Sequence, residues 1–213
     1  MKNLCVCITA IILAGCSVFG KSNVETAPYR VLKSDGQQKI ELRHYERLVL
    51  VSAPMVGGMD SGKNGAFYKL FDYISGKNTQ HSKIAMTAPV FLDDANENTG
   101  VKIPMTAPVF MEDAAEQSTM SFVLPASYTL NTAPTPQDPD VKLYEVIDDT
   151  VAVITFNGVL ERENIDKHKT LLQTWIESEG YKITGAYKAA GYNPPYTIPA
   201  LRRNEVLIPV AAP

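Results

Sequence analysis

The chain writes one order of elements twice, on either side of a proline-rich stretch, and this long repeat constrains the fold most. In the first half, "KIELRHYERLVLVSAPM" reads as a strand whose even-numbered Ile40, Leu42, Leu48 and Leu50 favour one face. Gly57, Gly58 and Gly62 mark a loop. "NGAFYKLFDYISG" then sets Phe67, Leu70, Phe71 and Ile74 at i, i+3, i+4 and i+7. That spacing predicts an amphipathic helix, with Ser61 or Asn64 as N-cap and Gly76 past its end. After "NTAPTPQDPD", residues 131 to 140, the order starts over. "VKLYEVIDDTVAVITFNG" reads as a strand pair around an Asp-Asp turn. "NIDKHKTLLQTWIESEG" reads as a second amphipathic helix, with Asn164 as N-cap and Gly180 as its stop. "YKITGAYKAA" and "NEVLIPV" supply closing strands. Each helix must bury its apolar stripe against a sheet, so the expected class is one pseudo-symmetric α+β domain around a curved, barrel-like sheet.

A shorter repeat lies inside the first half. Lys83 to Phe91 returns as Lys102 to Phe110 with only Ala85 exchanged for Pro104. In both copies Ile, Met, Ala and Val alternate with other residues, the pattern of a half-buried strand. Pro89, Pro104 and Pro108 cannot donate to a ladder, which predicts edge or bulged strands. Two copies are too few for a solenoid. Thr87 and Thr106 have no neighbouring base, so the reading is a duplicated strand, not a duplicated active site.

The N-terminus has a different character. Lys2 precedes an apolar run from Leu4 to Leu13, which ends in Leu13-Ala14-Gly15-Cys16. This resembles a bacterial lipoprotein signal, in which Cys16 is lipidated and becomes the first mature residue. Ser17 rather than Asp follows, which for such lipoproteins implies the outer membrane, facing the periplasm. The expected organisation is a signal peptide over 1–15, a lipid-anchored tether over 16–28 and a domain over 29–213. Cys5 and Cys7 leave with the signal and Cys16 carries lipid, which excludes disulfides, thiolate catalysis and cysteine-based metal sites from the mature domain. Acyl chains anchor without a transmembrane helix. The net charge of −3 and the scattered Lys and Arg argue against nucleic acid as a partner.

"IELRHYE", "FYKLFDYISGKN", "KIAMTAPV" and "AGYNPPYTIPALRRNEVLIPV" resemble successive signature segments of the SOUL heme-binding protein family. The resemblance runs from about Tyr29 to Val210. The doubled strand departs from the single copy of eukaryotic members and is similar to lipoprotein-type bacterial ones. The resemblance implies a distorted β-barrel of two halves flanked by two helices. It also implies reversible binding of haem or another tetrapyrrole in an apolar groove near the first helix.

Haem is a flat apolar disc with two carboxylates, so it needs an apolar slot, a cationic rim and, optionally, an axial ligand. Phe67, Leu70, Phe71 and Ile74 are candidates for the wall, although such a stripe also serves as a helix's core face. Met55 is a further wall candidate. Lys63, Arg202 and Arg203 are candidates for the propionates, and Arg202 and Arg203 equally for ion pairs with Glu205 or nearby aspartates. His44, in Leu42-Arg43-His44-Tyr45, shares a face with Ile40 and Leu42, and its context matches that of the axial histidine of one family member. It is the candidate iron ligand; the alternative is a partly buried structural histidine. His168, on the stripe of the second helix with Ile165, Leu172, Trp175 and Ile176, reads as a core or boundary residue, and His81 as solvated. Glu41, Glu46 and Glu145 offer carboxylates but no nucleophile–base pair, so no enzyme is expected. The alternatives to haem are other hydrophobic small molecules, or a structural envelope lipoprotein that binds no ligand.

Overall fold

A computed structural model describes residues 25–80, 83–93 and 118–212. Its centre is a ring of antiparallel strands: β3 (Ile40–Pro54), β6 (Thr119–Val123), β5 (Val90–Asp93), β9 (Lys188–Gly191), β10 (Asn204–Ala211) and β7 (Lys142–Phe156), which pairs back onto β3. The six strands close an α+β barrel, and closure removes the sheet edges that an open sheet would have to protect. β2 (Arg30–Asp35) pairs with the first part of β3, on the edge that β6 takes further along, and β8 (Lys182–Ile183) pairs the far end of β10. Two short strands, β1 (Glu25–Thr26) and β4 (Thr87–Ala88), form a separate parallel pair.

Helix α1 (Gly58–Ile74) packs on β3 and β6, and α2 (Arg162–Ser178) packs on β7 and β10. The two halves thus repeat a 15-residue strand followed by a 17-residue helix. The outer face of the barrel and the helices form one apolar layer, holding Ile40, Val51, Leu70, Phe122, Ile154, Leu172 and Ile176. The interior holds a second one, with Tyr45, Leu48, Leu50, Phe91, Val153, Ala190 and Leu207.

Several local expectations are corrected. The Asp-Asp pair is no turn, since β7 runs unbroken through it and stays paired with β3 from Lys142 to Ile154. Instead both strands change face at this level. Ile40 and Leu42 point outward, whereas Leu48 and Leu50 point into the barrel. The switch falls at the exposed Glu46 and Arg47 on β3, opposite Ile147 and Asp148, where Asp148 takes φ 56°. A single even-numbered face was therefore the wrong pattern for β3.

Helix α1 starts at Gly58, earlier than Ser61 or Asn64, and Gly62 lies inside it. Gly62 is there for close approach: a Cβ on it would fall 2.5 Å from the backbone carbonyl carbon of Met55. Helix α2 begins at Arg162 with Glu161 as N-cap, while Asn164 donates to the Val159 carbonyl instead. The first copy of the doubled strand supplies β4 and the first two residues of β5, and β5 pairs on both sides and is no edge. Its Pro89 falls in the gap between β4 and β5, where no ladder bond is lost. The second copy lies outside the described residues, as do His81 and Cys16. Glu25–Pro28, the end of the expected tether, is docked on the domain with Ala27 buried.

Candidate functional site

An open cleft of about 380 Å³ lies on the barrel's flank beside His44. β3 forms its floor through His44, Glu46, Arg47, Leu48 and Val49. On one side stands the segment Pro28–Arg30, where Arg30 pairs in register with His44. On the other stand Leu124, Pro125, Ala126 and Tyr128, which follow β6. The volume falls in the range of small-molecule sites. Apolar Leu48, Val49, Leu124 and Tyr128 line one hollow together with the basic Arg30 and Arg47 and the acidic Glu46. Arg47 is only loosely engaged, 3.8 Å from Glu145.

His44 is held from the cross-strand neighbour. Nδ1 lies 3.1 Å from Thr150 Oγ1, and Nε2 lies 3.3 Å from Asp148 Oδ1. The imidazole is 12% exposed and the Asp148 side chain 84% exposed. The order Thr150–His44–Asp148 has the outline of a nucleophile–base–acid array. Its carboxylate is solvated, however, and Thr150 does not line the cleft, so the array orients an imidazole without presenting a hydroxyl to a bound molecule.

Behind the cleft, inside the barrel, lies a charged cluster. Arg43, 1% exposed, donates to both carboxylate oxygens of Glu205, 0% exposed, at 2.9 and 3.0 Å. Arg203 donates to Glu205 Oε1 at 2.6 Å, Tyr192 donates to Oε2 at 2.7 Å, and Arg43 Nε donates to Glu41 at 2.7 Å. Burial alone would push the Glu205 carboxyl up; the hydrogen bonds and charge of Arg43, with Arg203 and Tyr192, outweigh it and hold the group below its ordinary value. Burial pushes the Tyr45 hydroxyl up to about 12, and that hydroxyl has no hydrogen-bond partner among the described residues. The ring of Tyr29 covers this cluster, 4.2 Å from the Arg43 guanidinium and edge-on to Tyr45 at 5.6 Å.

Sequence comparison adds the family. The SOUL heme-binding protein family model matches residues 24–95 and 91–209. The chain belongs to the SOUL heme-binding family. It is 30% identical over 187 residues to human Heme-binding protein 2, covering 86% of this chain and 84% of the human one. Among solved structures, the C-terminal domain of EcmrR superposes with a TM-score of 0.53 at 12% identity, covering 87% of this chain and 99% of that domain. A protein from Listeria innocua described as a hydrolase superposes with a TM-score of 0.54 at 10% identity, covering 84% and 94%. These two likenesses show a shared fold.

The SOUL-family fold distributes the sequence candidates over three places. Leu70 and Ile74 are buried between α1 and the barrel, with Met55 beneath the same helix and Phe67 edge-on to Phe122. Phe71 stacks on Phe67 at the margin and is 44% exposed. Lys63 donates to the Leu160 carbonyl, across to the second half. Arg202 donates to the Thr197 and Pro195 carbonyls, whereas Arg203 joins the Glu205 cluster. Of all these candidates only His44 lines the cleft. His168 stacks on Phe156 at 4.0 Å, and its Nδ1 is 2.7 Å from the Asn164 carbonyl. Tyr29, Arg30, Arg47 and Tyr128 escaped the sequence reading. The one available signal was the pair of arginines near His44, and it shows no site until β2 is laid beside β3.

Proposed function

We propose that this SOUL-family protein reversibly binds haem or a related tetrapyrrole in the cleft at His44, as a lipid-anchored envelope protein that holds or hands over the ligand. The carrying observation is that one open hollow joins apolar walls, two arginines and a partly buried imidazole, in a chain of a heme-binding family. The fit is chemical. A tetrapyrrole's apolar disc suits Leu48, Val49, Leu124 and Tyr128, and its carboxylates suit Arg30 and Arg47. His44 Nε2 gives up only a solvated carboxylate to bind, while Thr150 keeps the ring oriented through Nδ1, as an outer partner does for a ligating histidine. Haem brings its iron with a coordination position for that nitrogen.

This cleft is a better slot than the face of α1, because Leu70 and Ile74 already fill the space between helix and barrel. Binding rather than catalysis is the reading, since no lining side chain is an activated nucleophile. The lipid anchor rests on the Leu13-Ala14-Gly15-Cys16 sequence, and the outer-membrane address facing the periplasm on Ser17. Absorbance titration of haem into the purified protein tests the binding. A shifted Soret band saturating at one haem per chain is expected; a curve matching that of a non-binding protein of similar surface composition overturns the reading.

A further inference from the structure

The cleft's two side walls are separate pieces of chain, and one of them is a short strap. The segment Glu25–Arg30 reaches the domain through β1, only two residues long, and contributes Pro28, Tyr29 and Arg30 to the cleft. Besides the pairing of β1 with β4 and of Arg30 with His44, three contacts bear on the cleft. The Ala27 N–H donates to the Ala88 carbonyl at 2.9 Å. The Tyr29 ring lies over Arg43 and against Tyr45. Glu25 Oε1 accepts from the Ala126 N–H at 3.0 Å, and Ala126 belongs to the opposite wall. That last bond ties the two walls to each other, through a side chain that is not itself in the cleft. Short, peripheral segments with few ladder bonds open at low free energy.

Resting on the cleft reading above, we propose that the strap Glu25–Arg30 is a latch on the ligand. Docked, it completes the cleft and slows release; undocked, it removes one wall, takes Arg30 away and uncovers Arg43 and Tyr45. A ligand that touches both walls must then stabilise the docked strap by the factor by which docking tightens its binding, because coupling is reciprocal. The strap includes the end of the expected lipid tether over 16–28, so attachment to a membrane acts on the same six residues that hold the ligand.

The test measures haem release and amide exchange on the full chain. Glu25→Ala deletes the tie to Ala126 and changes no side chain that lines the cleft. Haem release from it should be about fivefold faster, the effect of losing roughly one hydrogen bond. Tyr29→Ala, which also loses the ring contacts with Arg43 and Tyr45, should release faster still. In the unmutated protein, saturating haem should slow hydrogen exchange at the Ala27 amide. Haem binding with wild-type release from Glu25→Ala and Tyr29→Ala, or with Ala27 exchange indifferent to haem, overturns the latch alone. Failure of the unmutated protein to bind haem overturns both the latch and the function it rests on.

Discussion

Glu205 has a formal charge at the bottom of an apolar barrel, and its neighbours decide whether that is tolerable. Two guanidinium groups and a phenol use both its oxygens, so the carboxylate is matched in charge and in hydrogen bonds. Such a pair need not stabilise more than apolar residues of the same shape, but removing one partner strands the other. Glu205→Gln should therefore cost about 3–5 kcal/mol at pH 7, measured by denaturant unfolding. Replacing the pair together, as Arg43→Met with Glu205→Leu, should cost less than Glu205→Gln alone. The pH dependence has a definite sign. A carboxyl held below its ordinary value stabilises the fold above its unfolded pKa, and that contribution is lost as pH falls through the folded one. The penalty of Glu205→Gln should thus shrink in acid. The pairing of Arg43 with Glu205 was not legible in sequence, because the two lie 162 residues apart and meet only across a closed barrel. The ion pair of Arg203 with Glu205 was one of two fates the sequence left open, and the short separation made it readable.

At the scale of elements, periodicity found both helices and the long strand β3, but split β7 into a strand pair and missed what neighbours impose. Gly62 reads as a loop signal in isolation, yet it sits within α1 because Met55 passes beneath it. Gly62→Ala should lower stability by about 1–3 kcal/mol, the usual penalty of overpacking, since the obstructing atoms are backbone. A melting temperature equal to wild type would contradict the close-approach account. The Asp148-Asp149 pair carries turn chemistry, and Asp148 does adopt a left-handed φ, but pairing with β3 on both sides of it converts a reversal into a change of face. The doubled strand gives a third case. β5 is integral to the ring, yet a near copy stands ready downstream. Deleting residues 83–101 should leave a cooperatively folding domain, with Ile103, Met105 and Val109 serving where Ile84, Met86 and Val90 now stand. Loss of a cooperative transition in that deletion would show that the copies are not interchangeable.

For the molecule as a whole, the repeated strand–helix order was enough to predict two pseudo-symmetric halves, because each helix stripe demands a sheet to cover. Which strands neighbour one another was not legible, and the cleft depends on that. It is assembled from the strap, the middle of β3 and the segment after β6, which no local pattern connects. His44 was visible because its family context is specific; its partners Arg30 and Arg47 were not. The most direct test of the central claim is the absorbance spectrum of haem bound to His44→Ala, recorded beside wild type and His168→Ala. The account predicts that His44→Ala stays folded, loses the histidine-bound spectrum and binds haem more weakly through the remaining apolar and cationic contacts, while His168→Ala keeps the wild-type spectrum. An unchanged spectrum in His44→Ala together with a lost one in His168→Ala would contradict it and move the site to the second half of the barrel.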